Sequence, residues 1–373
     1  MKIGIDIRAL GNKNWTGIGK YIFHSIENIL KLDKKNQYYL FSTGLSKDLY
    51  TAVDFKQENV QRIHIPVSNK LLNFKLIAGI KTNIFDQFFK EIDIFWMPNI
   101  NFCHLNKKCP TILTVHDLSF LHSREFYSLK RRYWHKLVGV EKLTSDACHI
   151  ITVSENTKRD LMRFFSLAED KISIVYPGID YIPMNQELAI SLTTKLDLPE
   201  KFFLYVGTLE PRKNIISIIK AFDRYHKEYP DVHLLIVGSR GWIYSSLLKH
   251  IAERPFVHYL DYVASPLKDA LYFLSQGLIW PSFYEGFGFP PMEAIAHKKP
   301  VIVSYKTSLP EIGKQQALYV DPYNISDIYQ SLKFLTEDKK LKEQLNKSAE
   351  NFVLTKWSEQ TQKILDIFNK YQP

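Results

Sequence analysis

Glu285 and Glu293 stand eight positions apart in one glycine-rich stretch, Ser282-Phe-Tyr-Glu-Gly-Phe-Gly-Phe-Pro-Pro-Met-Glu293. Carboxylates so placed can accept hydrogen bonds from a polyol. Gly286 and Gly288 let the backbone turn tightly and approach a ligand closely. An apolar run, Gly277–Trp280, precedes the stretch as a buried strand, and a helical run, Met292–His297, follows it. The amides of Gly286, Phe287 and Gly288 then sit at a helix mouth, where unpaired N–H groups and the dipole favour an anion. Upstream, Tyr205-Val-Gly-Thr-Leu-Glu-Pro-Arg-Lys-Asn214 sets Arg212 and Lys213 at the start of another expected helix. Cations there oppose the macrodipole. They make sense if a diphosphate lies between them and the amides. A lone Glu in such a turn reads as a solvated cap, and a lone basic pair as surface charge. Both motifs in one chain point to a ligand with a sugar at one end and a diphosphate at the other.

Two further loops could do chemistry. Thr16-Gly-Ile-Gly-Lys20 follows a strand and opens a helix, so the amides near Gly17 and Gly19 could face a phosphate or a sugar. It is neither a Walker A loop nor a full G-x-G-x-x-G, because Ile22 ends the pattern. Turn geometry alone would explain it equally well. Thr114-Val-His-Asp117 ends another strand, where His116 could stand beside a reacting centre with Asp117 orienting it; a satisfied strand-end histidine is the plainer reading.

The elements that must hold these residues alternate along the chain. Strands are expected at Lys2–Ile7, Tyr38–Ser42, Ile92–Met97, Thr111–Val115, Ile150–Val153 and Ile172–Val175, and then at Phe202–Val206, His233–Val237, Val257–Leu260, Gly277–Trp280, Pro300–Ser304 and Ala317–Val320. Helical patterns fall between them, among them Gly19–Leu32, Leu129–Leu143, Glu155–Phe165, Ile215–Tyr229, Lys268–Ser275 and Ile325–Thr336. Two successive runs of βαβ units predict an α/β fold of two doubly wound, Rossmann-like parallel sheets. The expected domains are 1–180 and 181–357, with a turn-rich linker within 176–200 and a last helix, 358–373, packing back on the first domain. Each motif falls at a carboxyl strand end, where open sheets bind ligands. One site in a cleft between the two domains is therefore expected.

The 373 residues are 45% hydrophobic and 24% charged, a globular balance. No run approaches the roughly 18 apolar residues of a membrane span. The charged, alternating Met1–Arg8 reads as a strand rather than a signal peptide. Cys103, Cys109 and Cys148 fit neither a zinc spacing nor a disulfide framework, so a reducing cytoplasm is expected. Residues 1–180 carry 26 Lys and Arg against 18 Asp and Glu, and residues 181–373 carry 23 against 21. A basic first half suits an anionic partner. No zinc finger, RNA-binding aromatic signature or long basic run supports nucleic acid. An anionic membrane surface or a pyrophosphate-bearing acceptor fits as well. In Leu129–Leu143, the apolar Leu129, Tyr133, Trp134, Leu137 and Val140 lie near one face among Lys130, Arg131, Arg132 and Lys136. That helix suits a membrane interface or an ordinary surface equally.

Together these residues resemble the retaining glycosyltransferase family 4, of GT-B fold, which includes bacterial mannosyl- and glucosyltransferases of surface-polysaccharide synthesis. The motifs run in the family's order over almost the whole chain: the Gly17/Gly19 loop, His116-Asp117, Val175-Tyr-Pro-Gly-Ile-Asp180, Gly207 through Arg212-Lys213-Asn214, Glu285 through Glu293, and Leu309-Pro-Glu311. The resemblance implies that Lys213 and Arg212 bind the donor diphosphate and that Glu293 takes the ribose hydroxyls. Glu285 and the amides of Gly286, Phe287 and Gly288 would hold the donor sugar. His116 would lie near the sugar, Gly17 and Gly19 near the diphosphate and acceptor, and the nucleobase near Tyr262 and Val263. Many members carry Arg directly after Gly207, where this chain has Thr208, so Arg212 would supply the second positive charge. Asp261 replaces a common glycine before the base-contacting segment.

The implied reaction is transfer of a hexose from a nucleotide sugar, GDP-mannose as the first expectation, with retention of configuration. The implied acceptor is a saccharide or undecaprenyl-type lipid-linked saccharide of lipopolysaccharide, O-antigen or capsule synthesis. No metal or other cofactor is expected, nor a nucleic-acid partner. The expected location is the cytoplasm, peripheral on the inner face of the membrane. A sugar-nucleotide epimerase, a phosphorylase and a non-catalytic nucleotide-sugar-binding subunit are the competing readings on the same fold.

Overall fold

The computed structural model describes residues 1–11, 15, 17–46, 50, 53, 55–78, 80, 83–103, 105, 108–122, 124–242 and 245–372. Thr16 and part of the loop before it lie outside these described residues. The chain forms two compact units, one of residues 1–122, 129–178 and 355–373, the other of 123–128 and 179–354.

Among the described residues of the first unit, seven parallel strands form one sheet in the order β3-β2-β1-β4-β5-β6-β7. They are β1 Lys2–Asp6, β2 Gln37–Thr43, β3 Val60–Ile65, β4 Ile94–Met97, β5 Thr111–Val115, β6 His149–Thr152 and β7 Ile172–Ile174. The central strands β4, β5 and β6 are buried at every position, as strands covered on both faces must be. The order reverses between β1 and β4, the switch point of a doubly wound sheet. The last helix, Trp357–Asn369, belongs to this unit, with Phe368 edge-on to Trp96 and Trp357 close to Tyr21 and stacked on His24.

The second unit carries six parallel strands among its described residues, in the order β10-β9-β8-β11-β12-β13. These are β8 Lys201–Val206, β9 Val232–Val237, β10 Val257–Leu260, β11 Leu278–Trp280, β12 Val301–Ser304 and β13 Ala317–Val320. Its switch point lies between β8 and β11, which pair through Leu204 and Leu278. The strands preceding Arg212-Lys213 and Glu285 are thus neighbours, and their carboxyl ends deliver both motifs to one place.

Four expectations change. The expected linker contains a helix, Gln186–Thr193, whose N-cap Asn185 accepts from the Leu188 amide and which packs in the second unit against the helix Leu267–Leu274. The expected helix Leu129–Leu143 breaks at Gly139, where φ is 65°, into Leu129–Val138 and Val140–Asp146. β3 is an additional edge strand. Residues 124–128, expected with the first domain, pack with the second unit: Phe126 stacks on Phe283 at 5.1 Å and its carbonyl accepts from the Trp242 indole at 2.7 Å. That segment buries two aromatics, Phe126 and Tyr127, in that unit's surface.

Candidate functional site

Pro211–Lys213 forms a single 3-10 turn after β8, and Asn214, at φ 60°, passes the chain into the helix Ile215–Glu228. The Asn214 side-chain amide donates to the Pro281 and Pro322 carbonyls at 3.0 and 2.6 Å. The Phe283 amide donates to the Arg212 carbonyl at 3.0 Å. These bonds fasten the basic turn to the loops after β11 and β13, so the backbone that carries the cations is fixed relative to that of Glu285.

The two motifs meet directly. The Lys213 ammonium lies 2.7 and 2.8 Å from the two Glu285 carboxylate oxygens. Arg212 Nη1 donates to Glu285 Oε2 at 3.2 Å and to the Tyr284 carbonyl at 2.7 Å, while its Nε and Nη2 hold Glu210 Oε1 at 3.1 and 2.7 Å. Lys213, Glu210 and Glu285 are buried. Burial resists ionisation of Glu285, but Lys213 and Arg212 outweigh it and hold its carboxyl below the usual range. Burial first, and then Arg212, push Lys213 below the ordinary lysine value, with Glu285 opposing. The Glu285 amide donates to Thr307 Oγ1 at 3.1 Å, and Ser308 Oγ lies 3.0 and 2.6 Å from the Glu285 and Phe287 carbonyls.

Gly286, Phe287 and Gly288 are buried in the turn into the helix Phe289–Ala296. The helix opens three residues earlier than expected. Gly288 stands at its N-cap with φ 124°, a conformation that needs glycine, and Pro290 and Pro291 occupy its first turn, where a missing N–H costs nothing. Glu293 consequently lies in the second turn rather than the first. It accepts from the Tyr272 hydroxyl at 2.9 Å and pairs with the Lys268 ammonium. Lys268 is buried. On the same helix Asp269 accepts from His297 Nε2 at 2.9 Å. Lys268 went unrecognised in the sequence because a lone helical Lys is ordinarily solvated. Its signal is Tyr272, four positions on and so on the same helix face. Gly207 and Thr208 follow β8, and Val263 packs against the unit's core after β10, beside an exposed Tyr262.

In the first unit, His116 follows β5 and donates from Nε2 to the Pro98 carbonyl at 2.8 Å, with Tyr21 edge-on at 4.9 Å. Burial lowers its pKa against the pull of Pro98 and Asp117, which favours a neutral ring. The Pro98 carbonyl fixes the ring, and the Asp117 carboxylate accepts from the Ser119 amide at 3.0 Å and caps the next turn. Gly17 and Gly19 lie in the first turn of the helix Gly17–Leu32 rather than in the loop before it.

Chemically, the second unit offers a fixed pair of cations beside an ionised carboxylate, and a second, separately compensated carboxylate. Preorganised cations lower the barrier to departure of an anionic leaving group, and an ionised carboxylate accepts hydroxyl protons.

Residues 15–181 match the family described as Glycosyltransferase Family 4, and residues 191–352 the family described as Glycosyl transferases group 1. The chain is 32% identical over 246 residues to O-antigen chain mannosyltransferase B of Escherichia coli, a match covering 63% of each protein. It is 31% identical over 221 residues to O-antigen chain mannosyltransferase RfbU of Salmonella typhimurium, covering 56% of each. These matches therefore span less than two thirds of those relatives' own lengths. In fold it is similar to sucrose-phosphate synthase from Thermosynechococcus elongatus, with a TM-score of 0.76 at 16% identity over 99% of this chain and 98% of that one. It is also similar to Anabaena HepE, solved in complex with UDP and glucose, with a TM-score of 0.71 at 15% identity over 99% and 100%. These likenesses show the GT-B class of fold.

Proposed function

The chain belongs to glycosyltransferase family 4, and on that premise we propose that it transfers a hexose, mannose from GDP-mannose, to a saccharide of surface-polysaccharide synthesis with retention of configuration. The observation that carries this reading is the convergence of Arg212, Lys213 and Glu285 at the switch point of the second sheet. Lys213 and Arg212 stabilise the charge that builds on the departing diphosphate. Glu285 and the turn Gly286–Gly288 hold the sugar hydroxyls, and Glu293 receives the ribose. No protein nucleophile is needed: the leaving phosphate takes the acceptor hydroxyl's proton as the new glycosidic bond forms on the same face. No metal or organic cofactor has a role in this scheme. The mannose choice is supported by what the two bacterial relatives are named for.

Calorimetric titration with GDP, UDP, dTDP and ADP tests the donor base, and GDP should bind tightest. Incubation with GDP-mannose and a lipid-linked or free oligosaccharide should give an α-linked product by NMR. Binding of another diphosphate in preference to GDP overturns the donor choice, and a β-linked product from this α-linked donor overturns retention. With donor alone, only slow hydrolysis is expected; formation of an epimer would favour an epimerase.

The acceptor is proposed to be undecaprenyl-linked and met at the membrane's inner face. The helix Leu129–Val138 supports this, with Leu129, Tyr133 and Trp134 exposed among the exposed Lys130, Arg131, Arg132 and Lys136. Flotation with anionic liposomes at low salt should carry the protein upward, and failure to float removes the membrane part of the proposal. No described helix is long and apolar enough to cross a membrane.

A further inference from the structure

We propose that Trp280 is a positioning residue for Lys213: its indole face stabilises the ammonium while the lysine exchanges Glu285 for a ligand phosphate. The proposal rests on the reading of Lys213 as the diphosphate-binding cation. The Lys213 ammonium lies over the Trp280 ring, 4.8 Å from its centroid. Trp280, at the end of β11, is 1% exposed and stacked at 17° on Tyr205, centroid to centroid 4.9 Å. The Tyr205 hydroxyl in turn reaches the Thr208 carbonyl at 3.3 Å. A Cβ on Gly207 would come within 2.5 Å of Trp280 Cη2, so the bare glycine is what admits the ring. One indole thus contacts both the basic turn's lysine and the loop after β8.

The choice of tryptophan has a cost that its role must offset. Its indole N–H is buried and has no acceptor among the described residues. A Phe or Leu would fill the core without stranding a donor. What they lack is the large, electron-rich face that attracts a cation most strongly among the aromatic side chains. That face matters most when the carboxylate is called away. In this structure Lys213 is compensated by Glu285. When sugar hydroxyls occupy the Glu285 oxygens, a buried ammonium must travel toward phosphate, and the ring remains beneath it along the way. Because the ring is uncharged, it holds the lysine without competing with phosphate as a second carboxylate would.

The test is calorimetry with GDP against GMP, and with UDP against UMP in parallel, on the full chain. Trp280→Leu should weaken the diphosphate about tenfold and leave the monophosphate unchanged, and Trp280→Phe should recover part of the loss. Because Trp280→Leu risks the core, 5,6,7-trifluorotryptophan placed at position 280 alone is the second variant. It keeps the shape and weakens the ring's attraction for a cation, so diphosphate affinity should fall while the melting temperature holds. Equal weakening of GDP and GMP, or undiminished GDP affinity with the fluorinated ring, overturns the proposal. Lys213→Ala separates it from the reading beneath: unchanged GDP affinity there removes Lys213 from the diphosphate site altogether. A weakened Lys213→Ala protein beside an unaffected fluorinated one removes only Trp280.

Discussion

Lys213 and Glu285, 72 residues apart in sequence, meet with an ammonium-to-oxygen distance of 2.7 Å. The contact exists because β8 and β11 are neighbours across the reversal of strand order, so the two loops that leave them face each other. Neither charge is well solvated, and each depends on the other. A site built this way is primed for a ligand that carries both an anion and hydroxyls, since such a ligand can replace both halves of the pair at once.

Removing one half should expose that dependence. Lys213→Ala leaves a buried carboxylate whose remaining cation is Arg212 at 3.2 Å, and should destabilise the second unit by about 3 kcal/mol. The double variant Lys213→Met with Glu285→Gln should regain most of that stability and none of the sugar transfer. Urea denaturation followed beside a transfer assay checks both. Stability unchanged in the single variant would show the pair to be solvated in solution.

The same pair fixes an acid limb of stability. Lys213 and Arg212 overcome burial and hold the Glu285 pKa below its unfolded value, near 4.5. Between those two values the unfolded chain binds more protons, so stability falls as pH drops through about 4.5 toward the depressed folded value. The contribution is fully present above that range. Glu285→Gln should therefore be less stable than the parent at pH 7, with the difference shrinking by pH 3. Urea midpoints at pH 7, 5, 4 and 3 for both proteins measure this; parallel curves would contradict it.

Much of the frame was legible because its strands are short runs rich in apolar and β-branched residues set between turn signals. Thr111–Val115, Val257–Leu260 and Ala317–Val320 are found at the expected residues. β3 escaped notice because an edge strand need not be apolar: Gln61 and Arg62 are exposed and the rest only partly covered. The helix Gln186–Thr193 was hidden by flanking prolines, although Asn185 announced its start. In the site, the residues that carry local motifs could be read from sequence, and those that act through tertiary contact could not. Lys268 and Trp280 belong to no motif. They matter only because Glu293 and Lys213 are folded against them.

Lys268 supplies the next expectation. It and Tyr272 are the partners that make burial of the Glu293 carboxylate tolerable. Lys268→Met removes the cation paired with that buried carboxylate and should cost about 3 kcal/mol. If Glu293 receives the ribose, the variant should also weaken GDP and GMP alike, unlike changes at Trp280. Calorimetry with both nucleotides distinguishes these patterns, and full retention of GMP affinity would separate Glu293 from the ribose.

The last helix tests how the first unit is closed. Phe368 is fully buried and meets Trp96 of β4 edge-on, ring centroids 5.7 Å apart, while Ile364, Leu365 and Ile367 are buried beside it. These residues follow the second unit in sequence yet belong to the first in space. Phe368→Ala removes a large ring from a packed interior, and a cost of about 3–5 kcal/mol is expected. With two units the loss need not be shared, so unfolding should cease to be a single transition. Hydrogen exchange should quicken in β4 and β5 and stay slow in β8 and β11. A uniform acceleration in all four strands would mean that the helix stabilises the chain as a whole rather than the sheet it touches.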